Sequence, residues 1–249
     1  CAFYNAKITE LTIPKNVKRI GDCAFGACDS LVTLHFNAEN CEYFSEQADD
    51  NLGVFAQCKS LANVKFGEDV TKIPFGLLYS CFKLTEIEIP DKVTEIGEKA
   101  FFAAKITELN IPDSVVKIGA KAFGNCNGIK TLNLGKSVAE IGSGAFMPCN
   151  VTKVTSLNPT PPVMPDDAFY PTFYKTATLT VPKESLNLYR VASGWKNFMN
   201  FATGLDNISV EEESEVPAFY NLQGVKVENP EKGIYIKRLA GKTSKVIIK

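Results

Sequence analysis

The 249-residue chain contains one histidine, His35, and only three arginines, Arg19, Arg190 and Arg238. One histidine excludes a zinc site built on two histidines, and three arginines leave little for bidentate recognition of phosphates or bases. Lys and Arg total 27 against 28 Asp and Glu, so the chain lacks the concentrated positive charge typical of nucleic-acid-binding proteins. No apolar run approaches the ~18 residues that a membrane-spanning helix needs.

An internal repeat dominates the sequence. An aromatic residue or a leucine recurs after a small or aliphatic residue, in steps of 22, 30, 23, 23, 22, 23 and 23 residues. We name these eight positions the ladder positions: Phe3, Phe25, Phe55, Leu78, Phe101, Phe123, Phe146 and Phe169. A near-constant period of this length predicts a solenoid, in which each coil buries its apolar face only against its neighbours.

The unit that begins at Leu84 illustrates the pattern within one coil. Residues 84–89 alternate between apolar and polar side chains, which predicts a strand that ends at Pro90. Gly97 is predicted to make the following turn with a positive φ. Stacked coils would place these strands ~4.8 Å apart in one parallel sheet. Leucine and isoleucine from the strands would fill one wall of the core, and the ladder positions would fill the opposite wall.

Residues 115–134 carry nearly a whole motif: Val115, Ile118, Gly119, Ala122, Phe123, Cys126, Ile129, Leu132 and Leu134. This pattern resembles the BspA-type leucine-rich repeat, over about four fifths of the chain. The resemblance implies a mainly β, right-handed leucine-rich-repeat solenoid with a parallel sheet and short 3-10 or irregular connections. It also implies an exported bacterial surface protein whose relatives are linked to adhesion and to host or matrix binding.

The cysteines follow the repeat. Five of them lie three residues after a ladder position, and Cys1 and Cys23 lie two residues before one. Equivalent side chains on strands ~4.8 Å apart are too distant for the ~3.8 Å Cβ separation of a relaxed disulfide. We therefore expect a column of buried thiols, with Cys41, which breaks the pattern, exposed. Because no CxxC pair occurs, no metal or redox site is expected.

Composition and pattern divide the chain into three parts. Residues 1–203 are predicted to form about eight coils with a helical cap at 182–203, in which Trp195 closes the core or, alternatively, stacks on a ligand. Since the chain begins in mid-repeat, we expect upstream sequence to be missing. Residues 204–216 are predicted to be an acidic linker. Residues 217–249 are predicted to form a small antiparallel β module, which resembles a type IX secretion sorting module or serves as a structural cap.

Two sets of residues are candidates for binding. The first lies at outward strand positions and comprises Glu86, Glu88, Glu108 and Asn110. The second lies in an insertion within residues 37–53, because insertions in repeat proteins form loops that are often on a binding face. Its candidates are acidic and aromatic: Glu42, Tyr43, Phe44, Glu46, Asp49 and Asp50. This loop would bind a basic partner or calcium, or it is a tolerated surface insertion.

These features favour a non-enzymatic, monomeric binding or adhesion protein without cofactor or metal. The expected partner is an extracellular protein or glycan, including the host matrix. One alternative is a structural spacer repeat with no specific ligand. A remote alternative is a hydrolase that uses the carboxylate pair Glu86 and Glu88, although their neighbours suggest a solvated polar sheet.

Overall fold

The computed structural model describes residues 1–44 and 53–205, together with four strand segments after residue 217. It divides the chain into two compact units, Cys1–Asp206 and Asn207–Lys249. The second unit contains β15 (Ala218–Tyr220), β16 (Lys226–Val227), β17 (Gly233–Leu239) and β18 (Lys242–Ile248), which are antiparallel in the order β16-β15-β17-β18, as the sequence predicts for this segment.

The first unit is a β-solenoid with few helices. Its elements in chain order are β1 (Glu10–Ile13), β2 (Arg19–Gly21), β3 (Thr33–Phe36), β4 (Glu42–Phe44), β5 (Asn63–Phe66), β6 (Lys72–Ile73), β7 (Glu95–Ile96), β8 (Glu108–Ile111), β9 (Lys117–Ile118), β10 (Thr131–Leu134), β11 (Glu140–Ile141), β12 (Lys153–Ser156), α1 (Phe173–Thr176), β13 (Thr178–Pro182), α2 (Leu186–Val191) and β14 (Asn200–Leu205). All pairings between these strands are parallel, and the predicted fold class is confirmed.

Each coil contributes to two parallel columns of strands. The front column contains β1-β3-β5 and, separately, β8-β10-β12-β13-β14. The rear column contains the short pair β2-β4 and, separately, the series β6-β7-β9-β11. Register is regular: Leu11 pairs with Leu34 and Leu34 with Val64, so apolar side chains of successive coils lie directly above one another.

The phenylalanine wall forms as predicted. Rings at successive ladder positions stack nearly parallel, with centroids 5.0 Å apart between Phe101 and Phe123 and 5.7 Å apart between Phe123 and Phe146. Leu78 interrupts this stack, and at its coil the aromatic contact moves one residue outward, to Tyr79 on Phe102 at 5.1 Å. The distance between the rings follows the spacing between coils. Offset stacking of aromatic rings is favourable at these distances.

Left-handed residues flank the ladder positions, on both sides in four of the eight coils, which the sequence did not reveal. In six coils, the residue two positions after the ladder position has a positive φ: Asn5, Ala27, Gln57, Ser80, Ala103 and Asn125. Four of these six residues have side chains larger than that of alanine. The residue two positions before it has a positive φ at Cys23, Gly76, Lys99, Lys121 and Gly144. The prediction for Gly97 was wrong, since Lys99 makes this turn. Gly97 is required because an added Cβ would lie 2.7 Å from the Phe75 nitrogen of the preceding coil.

The strand predicted at residues 84–89 does not form, which is a second correction. Leu84 is buried, but no ladder joins residues 85–89 to β5. The front column is therefore interrupted between β5 and β8. Alternation specifies which side chains face the core, whereas a strand also requires a neighbour within hydrogen-bonding distance, and alternation does not encode that distance.

All eight cysteines lie in the described residues and are thiols. Cys1 is exposed, and the other seven are buried. The expectation for Cys41 was wrong, because only 1% of this residue is exposed. Cys41 lies in the coil that contains the insertion. Because it does not occupy a position of the repeat, the repeat pattern does not predict whether it is buried.

The cap at the end of the solenoid is built around Trp195, which is fully buried. Its Nε1–H donates to the Pro162 carbonyl at 2.7 Å, and its ring packs edge-on against Tyr189. This burial contradicts the alternative of a ligand-stacking tryptophan. Beyond β13, β14 adds one further parallel strand to the front column. Residues 204 and 205 therefore belong to a strand, and the rest of the predicted linker lies outside the described residues.

Candidate binding surface

The outward side chains of the front column form a polar face. Glu108 and Asn110 lie on β8, in register with Thr131 and Asn133 of β10. The Asn133 Nδ2–H donates to Asn110 Oδ1 at 2.7 Å, and the Asn110 amide in turn lies 3.4 Å from Glu108 Oε1. The structure thus brings two of the predicted site residues together in one hydrogen-bonded row, which crosses neighbouring coils.

Glu86 and Glu88 lie on the extended segment of residues 85–89 that interrupts this face. A groove of about 610 Å³ separates the segment from β5, and we name it the gap groove. Val64, Lys65, Phe66 and Glu68 line one side, and residues 88–92 line the other. A second groove of about 440 Å³ lies between the segment and β8. Glu88 lines both grooves, whereas Glu86 lines neither, so the two carboxylates do not share either groove.

Glu42 and Tyr43 lie on β4 in the rear column, away from the strands that carry Glu108 and Asn110. The Tyr43 hydroxyl donates to the Asp22 carboxylate, and its ring contacts Phe75 at a centroid distance of 4.7 Å. Glu42 and Tyr43 also line a groove of about 380 Å³ with Phe75 and Glu95. The structure therefore does not join the two predicted sets of binding residues into one surface.

The other candidates of the insertion are Phe44, Glu46, Asp49 and Asp50. The backbone of Phe44 belongs to β4. Glu46, Asp49 and Asp50 lie outside the described residues, so their role in binding stays a prediction. Within the described part of the chain, no group of three or more histidine, cysteine or acidic side chains is arranged to hold a metal ion.

Lysine–aspartate pairs join neighbouring coils along the edge of the solenoid. Lys92 Nζ lies 2.6 Å from Asp69 Oδ1, and Lys136 Nζ lies 3.0 Å from Asp113 Oδ2. The hydrogen bond from the Lys92 ammonium lowers the pKa of Asp69. The pKa of Asp113 is lowered first by the backbone N–H of Lys136 and then by its ammonium. Each pair joins residues one coil apart, and it neutralises the surface locally.

Sequence reasoning missed the two grooves of the front column. Val64, Phe66 and Ile87 match their repeat positions as well as the fully buried Leu132 and Leu134 do. The only irregularities nearby are the 30-residue step before Phe55 and the replacement of phenylalanine by Leu78 at the next ladder position. These two irregularities lie in the coils next to the interruption, but neither of them predicts that the coils separate there.

Stacked coils of this length, most of which contribute a short parallel strand with inward apolar side chains, define a protein of the leucine-rich-repeat class. The profile of the BspA type leucine rich repeat region matches residues 1–52 and 51–175 in six copies. The chain belongs to this BspA-type family, and the predicted resemblance is confirmed.

Solved structures to which this chain is similar come from several bacteria. The leucine-rich-repeat protein of T. pallidum is 21% identical over 61% of this chain and 75% of its own, with a TM-score of 0.47. The pneumococcal vaccine antigen PcpA is 15% identical over 80% and 68%, with a TM-score of 0.48. A leucine-rich-repeat protein of Bacteroides ovatus is 17% identical over 87% and 62%, with a TM-score of 0.43. No curated protein matches the chain.

Proposed function

We propose that this chain is an exported bacterial surface protein that binds an extracellular protein or glycan, including components of the host matrix, through the front face of its solenoid. The observation that carries the proposal is the interrupted polar face, where outward Glu, Asn and Thr side chains surround open grooves instead of a closed sheet. Outward side chains of a parallel solenoid are free of packing constraints, which makes them available for recognition.

Several properties support binding over catalysis. The grooves are open and lie on an exposed sheet face, whereas a glycosidase needs two carboxylates that flank one cleft. Among the described residues, no helix has both the length and the apolar composition needed to cross a bilayer. Attachment through the C-terminal β module, as a sorting segment or otherwise, belongs to the same proposal.

An array of host matrix proteins and glycans tests the proposal directly. We expect at least one specific partner, whose binding weakens about tenfold in Glu88→Lys and Glu108→Lys, because the reversed charges lie on the proposed face. Glu184→Lys makes the same charge change on the exposed surface of the cap and should leave binding unchanged.

A variant that lacks residues 45–52 separates the front face from the insertion. If its affinity matches that of the full chain, the insertion has no part in binding. If the full chain binds nothing on the array, the proposed matrix and glycan partners are wrong, and the result favours a spacer that displays another domain.

A further inference from the structure

Within the described part of the chain, strand β5 has one backbone edge without a neighbouring strand. The Asn63 N–H donates to the Val32 carbonyl at 3.0 Å, and the Gly67 N–H donates to the Phe36 carbonyl at 2.9 Å, both on the β3 side. In a parallel pair, alternate residues direct their N–H and C=O groups to opposite sides. The backbone groups of Val64 and Phe66 therefore face the gap groove. No backbone hydrogen bond joins them to residues 85–89, all of which are described.

The opposite side of the gap groove is a second unpaired edge. The N–H groups of residues 86–89 make no backbone hydrogen bond with either adjacent strand, although these strands are fully described. Thr85 alone is tied to the next coil, because its carbonyl accepts from the Thr107 N–H at 3.1 Å. Unpaired strand edges are templates for pairing with another chain.

Apolar side chains lie along the same groove. Val64 and Phe66 are partly exposed, while Leu34 and Phe36 in the preceding coil are fully buried. All four occupy core positions of the repeat. An inserted strand would cover the exposed apolar area of Val64 and Phe66, and its alternate side chains would reach this wall.

The charges around the gap groove favour a basic occupant. Glu68, Glu88 and Asp91 contribute three carboxylates to its lining. Of the two lysines there, Lys92 is paired with Asp69, which leaves Lys65 against the three acids. The lining of the gap groove therefore has a net negative charge, and the outward side chains of an added strand would lie beside these carboxylates.

We propose that the gap groove binds an extended peptide segment with basic side chains by β-strand addition to the exposed edge of β5. This inference rests on the proposed binding function and specifies one class of partner for the front face. Main-chain hydrogen bonds to Val64 and Phe66 supply affinity, and the carboxylates of Glu68, Glu88 and Asp91 select lysine or arginine.

Fluorescence anisotropy with the full chain tests binding. The probe is a labelled peptide of about eight residues in which valine and lysine alternate. We expect saturable binding that weakens about tenfold when lysine is replaced by glutamate, and about tenfold when one of the two sets of alternate amides is N-methylated. Glu88→Lys should weaken binding by a similar factor, and Glu184→Lys should not. Equal affinity for the methylated and unmethylated peptides would overturn strand addition.

Hydrogen exchange tests the backbone geometry without any variant. In the free protein, the amides of Val64 and Phe66 should exchange faster than those of Leu34 and Phe36, which face β5. The peptide should slow exchange at Val64 and Phe66 by about tenfold or more. If these amides are already as slow as Leu34 in the free protein, the groove is closed in solution and the proposal is wrong.

The outcomes of the two proposals are distinguishable. Matrix or glycan binding that depends on Glu108, without protection of Val64 by the peptide, would support the proposed function and refute strand addition. Specific protection by the peptide, without any partner on the array, would support strand addition and refute the matrix and glycan partners.

Discussion

At the residue scale, the thiol column shows why cysteine recurs inside the solenoid. The Cys126 Sγ–H donates to the Phe101 carbonyl of the preceding coil at 3.1 Å, and the Cys149 Sγ–H donates to the Phe123 carbonyl at the same distance. Ala104 fills the equivalent place in another coil without a donor. Cysteine therefore acts as a small apolar side chain that also satisfies a buried carbonyl between coils.

The thiols make stability depend on pH in the alkaline range. Burial raises the pKa of Cys58 and of Cys149 from 9.0 to about 12, so the folded state favours the neutral thiol. This stabilisation is complete below pH 9 and is lost as the pH rises from 9 towards 12, by about 1.4 kcal/mol per pH unit for each thiol. Urea unfolding at pH 8 and 10 should show a smaller decrease for Cys149→Ala than for the unaltered chain. Equal decreases would contradict the assignment.

The close approach at Gly97 predicts an intolerant position. In Gly97→Ala the new Cβ would meet the Phe75 nitrogen at 2.7 Å and the Ile73 carbonyl oxygen at 2.8 Å, both backbone atoms. We expect the free energy of unfolding to fall by about 3 kcal/mol. Gly144→Ala is the matched control, because Gly144 has a φ of 61° but its nearest neighbour is a lysine side-chain atom at 3.3 Å.

Gly144→Ala should cost only about 1 kcal/mol, since Lys99 and Lys121 adopt the same conformation at this position of other coils. Thermal unfolding of both variants measures the difference. A larger loss for Gly144→Ala would mean that backbone conformation, and not coil spacing, determines where glycine is needed.

At the element scale, the rear column is joined by an alternation of charge. Its register places Lys72 beside Glu95, Glu95 beside Lys117, and Lys117 beside Glu140. The Lys72–Glu95 and Lys117–Glu140 pairs are each 3.3 Å apart and about half exposed. Opposite charges therefore face each other across each of these strand pairs. This row of alternating charges favours the observed strand register over a register shifted by one residue.

Reversing the central charge tests this row. Glu95→Lys would place three lysines on successive strands, and we expect a loss of about 1 kcal/mol in the free energy of unfolding at 0.1 M salt and less at 1 M. Glu86→Lys is the control, because Glu86 lies on the unpaired segment and should change stability by less than about 0.5 kcal/mol. Urea unfolding at both salt concentrations provides the measurement. Equal losses for both variants would contradict a role for the row.

At the scale of the whole molecule, the solenoid depends on the cap that closes its last coil. Trp195 and Tyr189 are fully buried, and the Tyr189 hydroxyl donates to the Asn158 carbonyl at 2.8 Å while it also contacts the Ser156 hydroxyl. Coils are stabilised mainly by their neighbours, so damage at the cap is expected to spread into the adjacent coils first.

Trp195→Ala should lower the free energy of unfolding by about 3–5 kcal/mol, because it opens a large cavity and removes the bond to the Pro162 carbonyl. Hydrogen exchange should increase more in β12 than in β3. Leu188→Ala on the exposed side of α2 should cost less than about 1 kcal/mol. A uniform increase over all coils would show that the first unit unfolds as a single cooperative body.

Much of the architecture follows from residue pattern alone. The repeat period predicts ladder positions such as Phe123 and strand positions such as Leu132, because only stacked coils bury apolar residues that recur at this interval. The left-handed residues could not be predicted in this way, because Lys99 and Gln57 are not residue types that usually adopt a positive φ. The candidate site was predicted only in part: Glu108 and Asn110 are joined by hydrogen bonds, but Glu42 lies on the other column.

The sequence by itself determined the repeat, the identity of the core side chains and the column of thiols, because a hydrophobic period records which residues must leave water. Only the tertiary structure decided where the coils separate. Whether residues 85–89 pair with β5 depends on how two coils sit on each other, and this depends on the sum of many contacts along both. The gap groove, with its unpaired backbone and its carboxylates, is a consequence of that packing.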